Sequence, residues 1–374
     1  MRIAVAHDWL VRYAGSERVV EEVLRCFPDA RLLTTLVEPG ALPETLRRAE
    51  PSFLQRIPSA TRRHEWFLPA MPAAWAFREP VDDVEAVVSS SHACAKAVRI
   101  APGIPHLCYC HTPMRYAWDF ESEKERFPRA VRPIARPTMT WFRHWDRKVA
   151  ANVDVFVANS SAVAGRISKF YGRRSQVIHP PVDVERFTPG GERTDVFLYV
   201  GRLVGYKRPE LVVDSFAGLD ERLLVVGGGH LETRLRARAT ANVSFLGEVD
   251  EQTLVDLYRS ARALVFPADE DFGIAMAEAQ ACGTAVIGLD RGGARDIVEH
   301  GVTGWLVDAP TVEQVRAAVR LAAVESLDAG EIRRRAERFS APRFRRELSA
   351  AVEAMIEERP GRAGGRGLRK TAST

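Results

Sequence analysis

The chain has 374 residues, 46% of them hydrophobic, and a formal net charge of +4. That length exceeds what one core usually organises, so two domains are expected, and a mild charge of interspersed sign excludes any nucleic-acid reading from composition alone. No apolar run approaches the roughly 18 residues a membrane span needs, and the opening MRIAVAHDWLVR carries charges where a signal peptide is apolar, so a cytoplasmic protein is predicted.

The first Val- and Ile-rich run, RIAVAHD, is followed by EAVVSSS, HLCYCHT and DVFVANS, with amphipathic stretches between them. This is βαβ spacing, with strands buried on both faces of a parallel sheet. After the first run, Ala14-Gly15-Ser16-Glu17-Arg18 opens a helix. A helix cap by Ser16 is one account of this segment.

Farther on, Arg56, Arg62, Arg63 and His64 interleave with Trp66, Phe67, Leu68, Met71, Trp75 and Phe77. Residues 51–78 therefore suit either the face of an anionic bilayer or a packed helical cover over the first sheet. The five cysteines, Cys26, Cys94, Cys108, Cys110 and Cys282, are odd in number and scattered, with Cys108 and Cys110 alternating along an apparent strand. Reduced, mostly buried thiols are expected, not a metal knuckle.

A linker-like stretch, PPVDVERFTPGGERTD, precedes a second series of runs: VFLYVGR, RLLVVGGG, ALVFPA and TAVIGL. Two successive doubly wound α/β units follow, 1–185 and 186–340. A last helix over 341–358 has Ser340 or Pro342 near its start and Pro360 just beyond its end, and 359–374 form a disordered basic tail. In doubly wound sheets ligands bind at the carboxyl ends of the strands, so the following loops are where chemistry is sought.

In YVGRLVGYKRPELVVDSF, Arg202 and Lys207 follow a strand and precede a helix beginning near Pro209. Two fixed cations beside a helix N-terminus suit a diphosphate whose charge grows as a leaving group departs. The triplet Gly227-Gly228-Gly229 lacks the G-x-G-x-x-G spacing of a dinucleotide site. Asp269-Glu270-Asp271 is formally a metal-binding D-x-D, but no further carboxylate cluster completes a cation site.

Glu270 and Glu278 stand eight apart, one at a strand exit and one about a turn into a helix. Such a pair can face one ligand, with Phe272, Gly273 and Ile274 presenting backbone N–H groups at the helix N-terminus. A bare pair at this spacing is equally a helix-end charge plus a surface glutamate. Here the surrounding string, EDFGIAMAEAQACG followed by Gly292-Gly293 and IVEHGVTGWLV, resembles glycosyltransferase family 4 and its E-x7-E motif.

The resemblance extends over nearly the whole chain. It implies GT-B architecture: two Rossmann-like domains, acceptor-binding then donor-binding, with a cleft between them and a C-terminal helix returning to the first. It further implies a metal-independent, retaining, same-face transfer in which the departing phosphate takes the acceptor's proton. At the Glu270 position the family's carboxylate contacts the donor sugar, and at Glu278 it holds the ribose hydroxyls. Arg202 and Lys207 grip the diphosphate, the Gly15 loop faces it, and His111 lies near the donor sugar. Beside His111, the residues Arg115, Tyr116, Trp118 and Asp119 become acceptor-side candidates, with plain packing the alternative for Trp118. Ala275 and Ala285 stand where the family often has proline.

The strings HDWL, FLQR and HTPMRYAWD are most similar to O-antigen type mannosyltransferases. That likeness implies GDP-mannose as donor, a lipid-linked saccharide as acceptor, a role in cell-surface polysaccharide synthesis, peripheral contact with the inner membrane face, and no cofactor beyond the nucleotide sugar. Rival readings are a sugar-nucleotide epimerase of the same fold and a non-catalytic nucleotide-sugar-binding subunit.

Overall fold

The computed structural model describes residues 1–119 and 132–358. The predicted basic tail, 359–374, lies outside the described residues. In the first half of the chain, β1 (Ile3–His7), β2 (Arg31–Thr34), β3 (Ala86–Ser91), β4 (His106–Cys110), β5 (Val155–Ala158) and β6 (Ser175–Val177) form a sheet in the order β2-β1-β3-β4-β5-β6. In the second half, β7 (Val196–Val200), β8 (Arg222–Val226), β9 (Val243–Gly247), β10 (Ala263–Phe266), β11 (Ala285–Leu289) and β12 (Gly304–Val307) give the order β12-β11-β10-β7-β8-β9. Strand β1 is parallel to β2 and β3, and in the second sheet β7 is parallel to both β8 and β10. The fold is therefore two doubly wound α/β sheets.

Burial explains why the apolar runs became strands. Every residue of β1, β3, β4, β10 and β11 is buried, as strands covered on both faces require. The helices used below are α1 (Gly15–Cys26), α2 (Ser161–Tyr171), α3 (Pro209–Phe216), α4 (Glu251–Ser260), α5 (Ile274–Ala281) and α6 (Ala341–Glu357). Local sequence starts them: the Ser160 hydroxyl accepts from Val163 N at 3.1 Å for α2, and the Asp250 carboxylate accepts from Thr253 N at 2.8 Å for α4. Pro209 opens α3, where its missing N–H costs nothing.

The start of α1 differs from expectation. Gly15 is the first helical residue, not part of a loop, and Ser16 does not cap. Ala14 occupies the cap position, and the Glu17 carboxylate reaches back to accept from Ala14 N at 3.0 Å. Glu17 wins because it stands three residues past the cap, where its longer side chain reaches the orphan donor.

The chain divides into two compact units. One comprises Met1–Cys110, His144–Val157 and the chain from Arg345; the other comprises His111–Arg143 and Ala158–Phe344. In the first unit α6 lies on α1: the Arg345 guanidinium donates to Glu22, and Cys26 Sγ lies 3.7 Å from the Arg345 carbonyl. All five cysteines are free thiols, four of them buried.

Residues 51–78 divide into a buried part, as a packed cover requires, and an exposed part. Leu54, Leu68, Met71 and Trp75 are buried, whereas Trp66 and Phe77 are 78% and 77% exposed. Phe53 and Ile57 are exposed as well. Among the described residues no helix is long and apolar enough to cross a membrane.

Candidate active site

In the second sheet the chain runs outward from β7 through β8 to β9 and then returns to add β10 on the other side of β7. The strand order thus reverses between β7 and β10, and ligands of doubly wound sheets bind beyond the carboxyl ends at such a reversal. The loops leaving these two strands are Gly201–Arg208 and Pro267–Gly273, the segments that carry Arg202, Lys207 and Glu270. Topology and motif point to the same place.

The first loop is shaped from beneath. Tyr199, buried in β7 and stacked on Phe266 of β10 with ring centroids 5.8 Å apart, places its hydroxyl 3.3 Å from the Lys207 carbonyl and 3.5 Å from that of Arg202. Burial, then the Glu270 carboxylate and Tyr206, push the Tyr199 phenol well above its ordinary range, so it stays protonated and able to donate. Close backbone approach explains the glycine triplet after β8: a Cβ on Gly227 would lie 2.2 Å from the Gly201 carbonyl oxygen. The triplet serves the loop's packing.

The second loop is held by Gly292-Gly293. Gly293 N donates to the Glu270 carbonyl at 2.9 Å, and a Cβ at Gly293 would sit 2.1 Å from the Phe272 carbonyl oxygen. Only glycine lets the two backbones approach this closely. Phe272 is buried against His179 and Phe339, Gly273 stands at the cap of α5, and Ile274 is its first residue.

Side chains of the second loop alternate in direction. Asp271 accepts from the Arg166 guanidinium on α2 and lies 3.9 Å from Arg115 Nε, and Asp269 Oδ1 is 3.7 Å from Arg166 Nη2. Glu270 between them takes the opposite partner, with its Oε1 3.0 Å from Lys207 Nζ. Apart from that ion pair, Glu270 Oε1 is buried with no hydrogen-bond partner among the described residues. A buried carboxylate oxygen in that condition is suited to a ligand hydroxyl. Glu278, buried on α5, accepts from the Tyr258 hydroxyl at 3.2 Å.

The remaining expected site residues are placed as follows. His111 directly follows β4 and is half-buried. Arg115 and Tyr116 lie in the one-turn helix Arg115–Trp118, and Asp119 ends it, exposed. Trp118 packs flat on Phe170 at 4.4 Å, as its packing alternative has it. Arg115 sits beside the loops after β7 and β10: it donates to the Asp269 carbonyl at 3.3 Å, and its guanidinium lies 5.4 Å from the Tyr206 ring. Gly15, in the first unit, opens α1. Tyr199, Tyr206, Tyr258 and Arg166 were not anticipated: Tyr199 and Tyr206 lie within the string that carries Arg202 and Lys207, whereas Tyr258 and Arg166 contact a motif from outside it.

Comparison with known families agrees with this geometry. Residues 13–186 match Glycosyltransferase Family 4, and residues 184–339 match Glycosyl transferases group 1. Both halves of the chain are glycosyltransferase family domains. Among relatives, the D-inositol 3-phosphate glycosyltransferase of Geodermatophilus obscurus is 36% identical over 249 residues, covering 57% of this chain and 55% of that protein. The enzyme of the same name from Rhodococcus erythropolis is 32% identical over 235 residues, 52% of each chain. The chain thus matches about half the length of these curated relatives.

Among solved structures, Anabaena HepE in complex with UDP and glucose superposes with a TM-score of 0.71 at 16% identity, over 95% of this chain and 100% of that one. Sucrose-phosphate synthase from Thermosynechococcus elongatus does so with 0.71 at 18% identity, over 96% and 99%. These likenesses establish the GT-B fold of the two glycosyltransferase domains.

Proposed function

We propose that this chain is a retaining glycosyltransferase that moves a hexose from a nucleoside diphosphate sugar to a hydroxyl acceptor. The observation that carries the reading is the meeting of Lys207 and Glu270, from the two loops flanking the strand reversal, at 3.0 Å. One group is suited to a phosphate and the other to a sugar hydroxyl, at the spacing of adjoining parts of one donor. Arg202 and Lys207 then absorb the charge that develops on the leaving diphosphate, Glu270 binds the sugar near its transferred end, and Glu278 holds the ribose hydroxyls. His111 lies near the sugar, and the departing phosphate takes the acceptor's proton, with no metal required.

GDP-mannose is the proposed donor and a lipid-linked saccharide of cell-surface polysaccharide synthesis the proposed acceptor, on the strength of HDWL and HTPMRYAWD. The names of the curated relatives favour a second acceptor, an inositol phosphate. Incubation with GDP-mannose, UDP-glucose and ADP-glucose, each with a lipid-linked saccharide or with inositol 3-phosphate, tests the reading. Product formation from GDP-mannose with the α-configuration kept at the anomeric carbon is expected. Donor consumed without any acceptor, giving an isomerised sugar nucleotide, would instead identify an epimerase.

A further inference from the structure

Three consecutive acids, Asp269, Glu270 and Asp271, follow β10 on one short loop, and Lys207 stands beside them. Carboxylates this close to one lysine compete for it, and any left without a cation would repel an incoming diphosphate. The structure sorts the three. Lys207 Nζ meets Glu270 Oε1 at 3.0 Å and makes no other ion pair among the described residues. The two flanking aspartates turn instead to Arg166 on α2: Asp271 accepts from its Nη1, and Asp269 Oδ1 lies 3.7 Å from its Nη2. Arg115 Nε, at 3.9 Å, is a second and more distant cation near Asp271.

Arg166 reaches the aspartates from a fixed base. The Ser160 hydroxyl, which caps α2, donates to the Asp271 carbonyl, and Ser161 N donates to the Asp296 carboxylate at 2.6 Å. Arg166 follows within two turns of that anchored helix end. All of these residues belong to the same compact unit. The loop backbone has its own ties, because Gly293 N donates to the Glu270 carbonyl at 2.9 Å and Ser160 holds that of Asp271. Removing the guanidinium therefore alters the charge around Glu270 while the backbone anchors stay. The side chains of Arg166 and Asp271 are only part-exposed, so water screens their pairing less than it would on an open surface.

We propose that Arg166 is a positioning residue of the donor site: by occupying Asp269 and Asp271 it leaves Glu270 the one acid of the triplet that faces Lys207. The inference rests on the donor-site reading above. Arg166 touches no part of the donor itself. It acts through the two aspartates, whose charges would otherwise turn toward Lys207 and oppose the diphosphate. Its effect on nucleotide binding therefore exists only while those two charges exist, which separates this role from one of packing α2 against the loop.

Isothermal titration of GDP and UDP against wild type, Arg166→Gln, Arg166→Lys and the double variant Asp269→Asn/Asp271→Asn, with and without Arg166→Gln, tests this. Arg166→Gln should weaken diphosphate binding by about tenfold, the effect of one charge-assisted contact, and Arg166→Lys by less. Adding the two asparagines to Arg166→Gln should bring affinity back toward wild type, because the charges that Arg166 balances are then gone. Should Arg166→Gln alone fail to fold, the double and triple variants carry the same comparison and should bind alike. A triple variant as weak as Arg166→Gln, or weaker than the double variant, would show that Arg166 only packs α2 and would overturn the proposal. So would Arg166→Gln binding diphosphate like wild type. Wild type that binds neither GDP nor UDP would overturn the donor-site reading, and this inference with it.

Discussion

Lys207 Nζ lies 3.0 Å from Glu270 Oε1, so the cation suited to a phosphate and the carboxylate suited to a sugar neutralise each other. On the proposed reading, a diphosphate would compete with Glu270 for Lys207 and release the carboxylate for the donor sugar. Glu270→Gln removes the competing charge and should bind free nucleoside diphosphate at least as tightly as wild type, while turning over far more slowly. Glu278→Ala should instead weaken nucleotide binding, because it removes the proposed ribose acceptor. Calorimetric titration alongside turnover numbers separates the two; equal loss of nucleotide affinity in both variants would contradict the assigned roles.

Transfer should survive EDTA. Asp269 and Asp271, the pair that reads formally as a metal motif, are engaged by Arg166, and Asp271 also faces Arg115. Arg202 and Lys207 are placed to meet the diphosphate charge themselves. An assay in chelator with the preferred donor checks this, and activity restored only by magnesium or manganese would reinstate the D-x-D reading.

His106 supplies a pH dependence of stability. It is fully buried on β4 with Nε2 2.8 Å from the Ser89 hydroxyl, and burial, then the nearby Lys96 charge, push its pKa down to about 3. The unfolded imidazole titrates near 6.5. Between those values the unfolded chain binds the extra proton, so stability is complete above about 6.5 and is lost as pH falls toward 3. Urea midpoints measured from pH 7 to pH 5, above the range where most carboxylates titrate, should fall for wild type and change less for His106→Asn.

The exposed part of residues 51–78 predicts membrane contact. Trp66 is 78% exposed with the Arg63 guanidinium 5.9 Å from its ring, and Phe53 and Phe77 present a second aromatic pair 6.2 Å apart. Co-sedimentation with anionic liposomes should occur at low salt and weaken as salt rises. Arg62→Glu/Arg63→Glu should reduce it in protein ending at Arg359, which lacks the basic tail. If that shortened protein ignores anionic liposomes while the full chain binds, the contact belongs to the tail.

The fold was legible wherever a strand is apolar and buried on both faces. The runs at β1, β3, β4, β7, β10 and β11 each announce themselves in sequence. Strands β6, with SQV, and β9, whose burial alternates, are short and mixed in polarity, so periodicity is silent on them. Glu270 and Glu278 stand out in sequence because one short string holds both. The contacts of Arg115 and Arg166 were not legible, because their partners are far away in sequence: Arg115 meets the Asp269 carbonyl 154 positions on, and Arg166 meets Asp271 105 positions on. The Ser16 cap failed for a local reason, since a longer carboxylate three residues past the cap position competes for the same end of the helix.

The central claim is that the loops after β7 and β10 form a nucleoside diphosphate sugar site. Thermal shift of wild type, Arg202→Ala and Glu278→Ala against GDP, UDP, ADP and their sugar conjugates tests it most directly, because a ligand bound to the folded state raises the melting temperature by mass action. At least one diphosphate, with GDP and GDP-mannose foremost, should raise the melting temperature of wild type, and the rise should shrink or vanish in both variants. A panel that leaves wild type unmoved, or a shift that persists undiminished in both variants, would contradict the claim.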